Sequence, residues 1–568
     1  HPPPPPPDNT PRPWSSAASD VYKRQTLGTL VHEHNLILLP LQWGDEMLLS
    51  RFLLALTATC FLVLGGCASL PDNSSKPKSS AYAQPDKTSL GQALQKRAAD
   101  HPSGQSGFHV LPNGYDAFVA RAVLAQLAER AIDSQYYMVH GDLVGTLYVD
   151  QLIKAADRGV RVRFLLDDID EGERDFKLAL FDYHPNVEVR IFNPFGRNVG
   201  KNVQFMTGFG KQTRRAHNKS FTVDNTATIL GGRNIGDEYF YAGEDIEFAD
   251  LEVIGIGPVA QEVSASFDEY WNSTLSYPIS ILNGEPPTEG EYLAARKRLD
   301  QYIAEQADSA YTQHLLNSNL ANSIRAGNVE YDWAESNVYA DPPEKLLVET
   351  GNKAYQMLPK LKPYIEAATK EVVILSPYFV PGRQGTEKLV KLAERGVRVR
   401  ILTNSLSSTD VSIVHAGYAR YRKALLRGGV ELYELNKVTE QHERDAVKKA
   451  KIGSSKSSLH AKAFAVDRQI AFIGSLNLDP RSVVQNTEIG VVIQSPEIAT
   501  MISDGFDRKI DRIAFRLGLE TDSSGVEHLT WTGLINGEET TLATEPYTSF
   551  WQRFVVSFLR LMPIESQI

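Results

Sequence analysis

Apolar and polar positions along the chain follow two periods, and the switches between them outline the elements. SFTVD (residues 220–224) and AFAVD (463–467) have the β-branched and aromatic content of strands and end at Asp-Asn and Asp-Arg turns. ATILGG and IAFIGS run back from those turns as return strands. Upstream, strand IDSQYYMV, helix GTLYVDQLIKAADRG and strand VRVRFLLDD follow in β-α-β order, with VEVRIFN as a further strand. That order implies a parallel sheet. The helix VAQEVSASFDEYWNS closes the block, with Phe267, Tyr270 and Trp271 expected in its core. EVVILSPYFVP, TEKLVKLAERG and VRVRILTNS then repeat the same order. RGVRVR occurs at 158–163 and at 395–400, an offset of 237 residues (395 − 158). A whole domain is therefore duplicated, and the fold class is α/β.

The domain boundaries follow composition. Residues 1–46 open on a proline run and include SSAASDVYKRQ, which reads as translated adapter; they are expected to be a non-native or disordered extension, with the biological start near Met47. Residues 47–67 pair a basic Arg51 with the apolar run FLLALTATCFLVLGG and end at Cys67, the pattern of a signal peptide with a lipoprotein box. Residues 68–106 are rich in Ser, Pro and Lys and are expected to be a flexible tether. The first domain covers 107–275, a connector with its own helices 276–340, the second domain 341–515, and a C-terminal extension 516–568. In that extension Phe550, Trp551, Phe554, Val555, Phe558 and Leu559 share one helical face, with Arg553 and Arg560 off it.

Charge narrows the partners. The net charge of −10 argues against general nucleic-acid coating. Lys211, Arg214 and Arg215 lead into His217, and Lys448, Lys449, Lys451 and Lys456 into His460; these runs are either solvated loop charge or an attraction for anions. The two cysteines, Cys60 and Cys67, leave the body without a disulfide framework or a cysteine metal site.

The chemistry sits in the repeat. RRAHNKSFTVDNTATILGGRN (214–234) and SSLHAKAFAVDRQIAFIGSLN (457–477) share H-x-K-x4-D-x6-G-[GS]-x-N. The candidate catalytic residues are His217, Lys219, Asp224, His460, Lys462 and Asp467, although the two aspartates fit the strand end better than a substrate. On a strand, residues two apart share a face, so each His projects with its Lys. Lysine suits phosphate oxygens, and histidine can attack phosphorus or carry its proton. Gly231-Gly232 and Gly474-Ser475 are expected to let backbone approach a ligand, and Asn234 and Asn477 to donate amides there. Each histidine needs an orienting carboxylate: Glu488 is assigned to His460, and Asp250, with Glu252 next in line, to His217. Lysines and amides supply the positive field, so neither metal nor cofactor is needed.

The duplicated motif resembles the phospholipase D superfamily. HNKSFTVD, GGRNIGDEYF, SLHAK, GSLNLDPRS and NTEIG, with SPYFVP and DVSIVHAGYARYRKALLRGGVELYEL, are similar to its bacterial cardiolipin synthases of the C type, over roughly residues 107–568. The resemblance implies two phospholipase D-like α-β-α sandwich domains related by a pseudo-twofold axis around one shared site. It also implies a phosphohistidine intermediate and phosphatidyl transfer to an alcohol. The implied roles fall on His217, Lys219, Asn234, His460, Lys462 and Asn477, with His217 taken as nucleophile and His460 as acid and base.

The expected partners are phospholipids and a membrane surface, with no nucleic acid. The expected location is a periplasm-facing bacterial membrane, through a lipidated Cys67. A hydrolytic phospholipase D, a nuclease of the superfamily and a non-catalytic lipid-binding lipoprotein stand as alternatives. Tyr136, Tyr137, Tyr378 and Phe379 either pack in the core or line a lipid entrance. His415 is either a satisfied structural histidine or a head-group contact, and the C-terminal helix lies on anionic lipid or on the protein body.

Overall fold

Two mixed sheets carry the two repeats. The computed structural model describes residues 70–169, 174–197, 201, 204, 213–242, 247–437 and 457–560. In the first sheet Ala131–Tyr136, Arg161–Asp167 and Val187–Phe192 run parallel, connected through helices Leu143–Asp157 and Asp175–Asp182. Ser220–Val223 joins antiparallel to the first of these, followed by Ala227–Gly231 and Glu252–Ile256. The second sheet repeats this with Glu371–Leu375, Arg398–Asn404 and Glu431–Leu435 parallel, then Ala463–Val466, Ile470–Gly474 and Ile489–Ile493 antiparallel. These are the two α/β domains that the repeated order predicts.

The motif hairpins turn as their sequence requires. Asp224 and Asn225 adopt φ of 52° and 53°, and Asp467 and Arg468 φ of 52° and 56°. Two consecutive left-handed residues match the strand twist, and Asp and Asn tolerate them. Each turn is tied down by its aspartate. Asp224 accepts the amides of Glu129 (2.9 Å), Arg130 (2.8 Å) and Ala131 (2.8 Å), at the start of the neighbouring strand. Asp467 does the same for Thr369 (2.8 Å), Lys370 (2.7 Å) and Glu371 (2.9 Å). Both aspartates, placed with the catalytic candidates on sequence, sit at the far end of the strand from the histidine.

The sheets meet across one apolar layer. Phe108, Leu230, Val253 and Val263 from the first domain pack with Ile473, Val491, Ile493 and Ile498 from the second. The connector reaches both sheets. Its helices end at Arg325, and then Asp332–Ala334 pairs with the first sheet and Ser336–Ala340 with the second. Phe267, Tyr270 and Trp271 are buried as expected.

Three sequence-based boundaries change. From Leu70 on, the expected tether lies along the first domain. Its composition supplies carbonyls and hydroxyls to buried cations and rings there: Arg190 donates to Pro77 O (2.6 Å), Arg163 to Ser79 O (3.1 Å) and the Trp271 indole to Ser79 Oγ (2.9 Å). Helix Ser89–Ala98 then adds Leu94 to the core. The break at 515/516 falls inside strand Ala514–Thr521. That strand, with Glu527–Ile535 and Glu538–Leu542, extends the second sheet instead of forming a separate extension. The connector likewise ends in strands, not only helices. Among the described residues, no helix is long and apolar enough to cross a membrane. Residues 1–67, with the signal-peptide pattern and Cys67, lie outside the described residues, as do Lys211, Lys448, Lys449, Lys451 and Lys456.

Candidate active site

The two histidines enter the site on segments that pair with the opposite domain. Ahead of His217, Ala216 forms a parallel bridge to Thr487, and the His217 amide donates to Thr487 O (2.9 Å). Ahead of His460, Ser457–Leu459 pairs in parallel with Glu247–Ala249, and the His460 amide donates to Ala249 O (2.8 Å). Thr487 and Ala249 immediately precede Glu488 and Asp250. Each histidine is thereby laid beside the other domain's carboxylate.

The side chains follow. His217 Nδ1 lies 2.8 Å from Glu488 Oε2 and 3.0 Å from Oε1. His460 Nδ1 lies 2.6 Å from Asp250 Oδ2. The sequence-based assignment is therefore reversed: Glu488 serves His217 and Asp250 serves His460. Glu252 serves neither, because its carboxylate is clasped by Arg121 (2.5 and 2.9 Å) and by Arg233 (3.3 Å). In each pair the carboxylate accepts from Nδ1–H, which fixes the tautomer and assigns the chemistry to Nε2.

Lys219 and Lys462 line the same cluster. Lys219 Nζ donates to His217 O (2.7 Å), and Lys462 Nζ lies 2.5 Å from His460 O and 2.8 Å from His460 Nδ1. The lysines are 1% exposed and the histidines 8%, so what solvent exposure the cluster has is mostly on the histidines. Burial first, then both lysine charges, push His217 and His460 well below the ordinary imidazole value. Each lysine acts on both histidines, which puts all four side chains in one site. Burial also drives Lys462 down to about 8 and Glu488 up to about 7. Burial and the two ammonium groups thus favour the neutral imidazole at both positions, the form that attacks or accepts a proton.

The supporting residues differ from expectation in detail. A Cβ on Gly231 would meet Leu251 O at 2.7 Å, and one on Gly474 would meet Ile489 O at 2.5 Å. These glycines admit the adjacent strand, not a ligand. A Cβ on Gly232 would meet Asp250 Oδ1 at 2.5 Å, so Gly232 makes room for that carboxylate. At the matching position Ser475 donates to Glu488 Oε2 (2.5 Å) and thus supports the carboxylate instead of facing phosphate. Asn234 Nδ2 donates to Tyr239 OH (2.9 Å) and Asn477 Nδ2 reaches Ser482 Oγ (3.4 Å). Both Oδ1 atoms are buried with no hydrogen-bond partner among the described residues.

Aromatic rings flank the imidazoles. Tyr137 meets His217 edge-on at 4.9 Å, with the Lys219 ammonium 5.3 Å from its ring centre. Tyr239 meets His460 at 5.1 Å. Sequence reasoning missed Tyr239, although it lies in GGRNIGDEYF directly after the first motif. Tyr378 donates to Asp410 (2.7 Å), while Tyr136 and Phe379 are core. His415 is buried against Glu545 (3.3 Å), a structural position. Arg214 donates to Val348 O (2.7 Å) and Arg215 pairs with Asp167 (3.2 Å), so neither is free surface charge. Ligand atoms of His140, Asp142 and Glu238 lie within 4.8 Å of one another, but Asp142 already caps a helix through Gly145 (2.9 Å) and takes the Asp237 amide (2.7 Å).

Comparison with known proteins agrees with this architecture. The family described as "Cardiolipin synthase, PLD-like domain" matches residues 124–271 and 361–510. The chain is 40% identical to cardiolipin synthase C of Escherichia coli (strain K12) over 481 residues, covering 84% of this chain and 99% of that one. It is 26% identical to a cardiolipin synthase of Halalkalibacterium halodurans, over 72% of this chain and 68% of that one. Among solved structures it is similar to phosphatidylserine synthase of Haemophilus influenzae Rd KW20, with a TM-score of 0.52 at 12% identity, covering 84% of this chain and all of that one. At that identity the likeness concerns fold. Duplicated domains, a paired His-Lys cluster and similarity along nearly the whole of a curated relative lead to one assignment: the chain belongs to the cardiolipin synthase family of phospholipase D-like phosphatidyltransferases.

Proposed function

We propose that the enzyme makes cardiolipin by transferring a phosphatidyl group from one glycerophospholipid, phosphatidylglycerol or phosphatidylethanolamine, to the alcohol of phosphatidylglycerol. The crossed pairing of two histidines with two buried carboxylates carries this reading. His217 Nε2 attacks phosphorus and the P–O bond to the head-group alcohol breaks. His460, entering this step as the imidazolium with Nδ1–H held by Asp250, gives its Nε2 proton to the leaving oxygen and is left neutral. The same histidine then takes the proton of the incoming alcohol, whose oxygen attacks the phosphohistidine and frees His217. Lys219, Lys462, Asn234 and Asn477 offset charge on the phosphoryl oxygens.

The sequence pattern ending at Cys67 supports a lipoprotein at a periplasm-facing membrane. The test is a mixed-micelle assay with labelled phosphatidylglycerol, with and without phosphatidylethanolamine. Cardiolipin made by wild type and lost in both His217→Ala and His460→Ala is the expected result. Phosphatidic acid alone would identify a hydrolase, and DNA cleavage without lipid turnover a nuclease.

A further inference from the structure

Helix Phe550–Leu559 is amphipathic, but its apolar face points away from the protein. Ser549 and Gln552 cap its start reciprocally (3.2 and 2.8 Å). At about 100° per residue, Phe550, Phe554, Phe558, Trp551 and Val555 cover an arc of roughly 140°. They are 66%, 52%, 57%, 69% and 37% exposed. The opposite side holds the helix to the body: Val556 is buried with Leu406 and Ala416, and Leu559 packs against them. The rings form one patch, with the Phe550 and Phe554 centres 5.6 and 5.8 Å from that of Trp551 and 6.3 Å from each other. Exposed Tyr547 precedes it. Scattered surface hydrophobics are ordinary, but a contiguous aromatic face marks an interaction surface.

The occupant is indicated by chemistry and place. Trp and Tyr beside Phe is the composition of an apolar face lying at a lipid-water boundary. The chain carries −10 overall, yet from residue 546 to 560 its charged residues are Arg553 and Arg560. Arg420 reaches the helix end at Leu559 O (3.4 Å), and the nearby acid Glu545 is engaged by Arg422 (2.6 Å) and His415 (3.3 Å). The surroundings therefore suit anionic lipid. The helix packs on Ser412–Ala419, which follows the loop from Asn404 to Asp410. Asn404 in that loop holds the segment before His460, accepting the Leu459 amide (2.9 Å) and donating to Leu459 O (2.9 Å).

We propose that Phe550–Leu559 seats the enzyme on an anionic phospholipid bilayer, with its aromatic face in the interfacial layer and the Asn404–Asp410 loop held near the lipid surface. The link from docking to turnover rests on the lipid-transfer reading; the docking itself does not. The probe is the full chain mixed with phosphatidylglycerol vesicles carrying bromines on the acyl chains, read by tryptophan quenching. Subtracting the spectrum of Trp551→Phe isolates Trp551. Quenching of that component by phosphatidylglycerol, and about a hundredfold weaker vesicle binding in Phe550→Ser/Trp551→Ser/Phe554→Ser, are the expected results. Vesicle binding with Trp551 unquenched, or unchanged binding by the triple variant, would overturn the proposal. A wild-type dimer that becomes monomeric in the triple variant, with no vesicle binding by either, would assign the face to a second copy. Turnover of monomeric short-chain phosphatidylglycerol should be the same in both proteins. Quenched Trp551 without any lipid turnover would sink the transferase reading and leave the docking surface standing.

Discussion

Alanine at Asp224 and at Asp467 should damage stability unequally and chemistry hardly at all. Hydrogen bonds to a charged group contribute about 1.5–3 kcal/mol each, least where water can replace them. The buried Asp224 carboxylate holds three amides, of which that of Ala131 is buried and those of Glu129 and Arg130 lie nearer the surface. Counting the outer two at the low end and the inner one somewhat higher gives about 5 kcal/mol. Alanine at φ 52° adds about 1 kcal/mol of backbone strain. Asp467 bonds mainly to exposed groups at Thr369 and Lys370, with Glu371 part-buried, so its total is about 2–3 kcal/mol. At about 2–4 °C per kcal/mol, Asp224→Ala should melt roughly 12–24 °C low and Asp467→Ala about half that. Asparagine, which tolerates the backbone and keeps one acceptor, should fall between alanine and wild type at both sites. Melting is followed by differential scanning fluorimetry, and turnover per folded molecule is measured well below both midpoints, where it should stay within about threefold of wild type. A variant that melts like wild type but has lost turnover by about a hundredfold would refute the reasoning and return that aspartate to the chemistry.

Two further outcomes test the site. Lys462 titrates near 8 and loses its charge as pH rises, so turnover should fall along a one-proton limb above that value. Lys462→Arg should remove the limb, whereas a wild-type profile that stays flat well past pH 8 would mean the ammonium is not needed. In 15N-histidine spectra, Asp250→Asn should shift the His460 ring signals and Glu488→Gln those of His217; the reverse pattern would overturn the crossed pairing.

The repeat, its motif and the α/β class were legible because they depend on local spacing: i and i+2 on a strand, a β-α-β order, an Asp at a left-handed turn. The carboxylate pairing was not. Proximity in sequence favoured Glu488 for His460, and only the bridges Ala216–Thr487 and Leu459–Ala249 between domains decide otherwise. The glycines were read as ligand contacts because a missing side chain says that something comes close, not what; here it is Leu251 and Ile489 backbone. The stripe of the C-terminal helix was plain from its period, but amphipathicity does not say which face meets the body, and small Val556 rather than the aromatics makes that contact. Strand Glu538–Leu542, at the sheet edge, carries little apolar pattern, whereas Leu529, Trp531 and Ile535 do alternate along Glu527–Ile535, a signal that was overlooked.

The exchanged carboxylates have a consequence during synthesis. His217 leaves the ribosome 271 residues ahead of Glu488, and Asp250 waits 210 residues for His460. Until the second repeat has emerged and docked, neither ring has the partner that sets its tautomer. A nascent or truncated chain thus carries an imidazole without its carboxylate, and one repeat cannot drift in sequence without disturbing the histidine of the other.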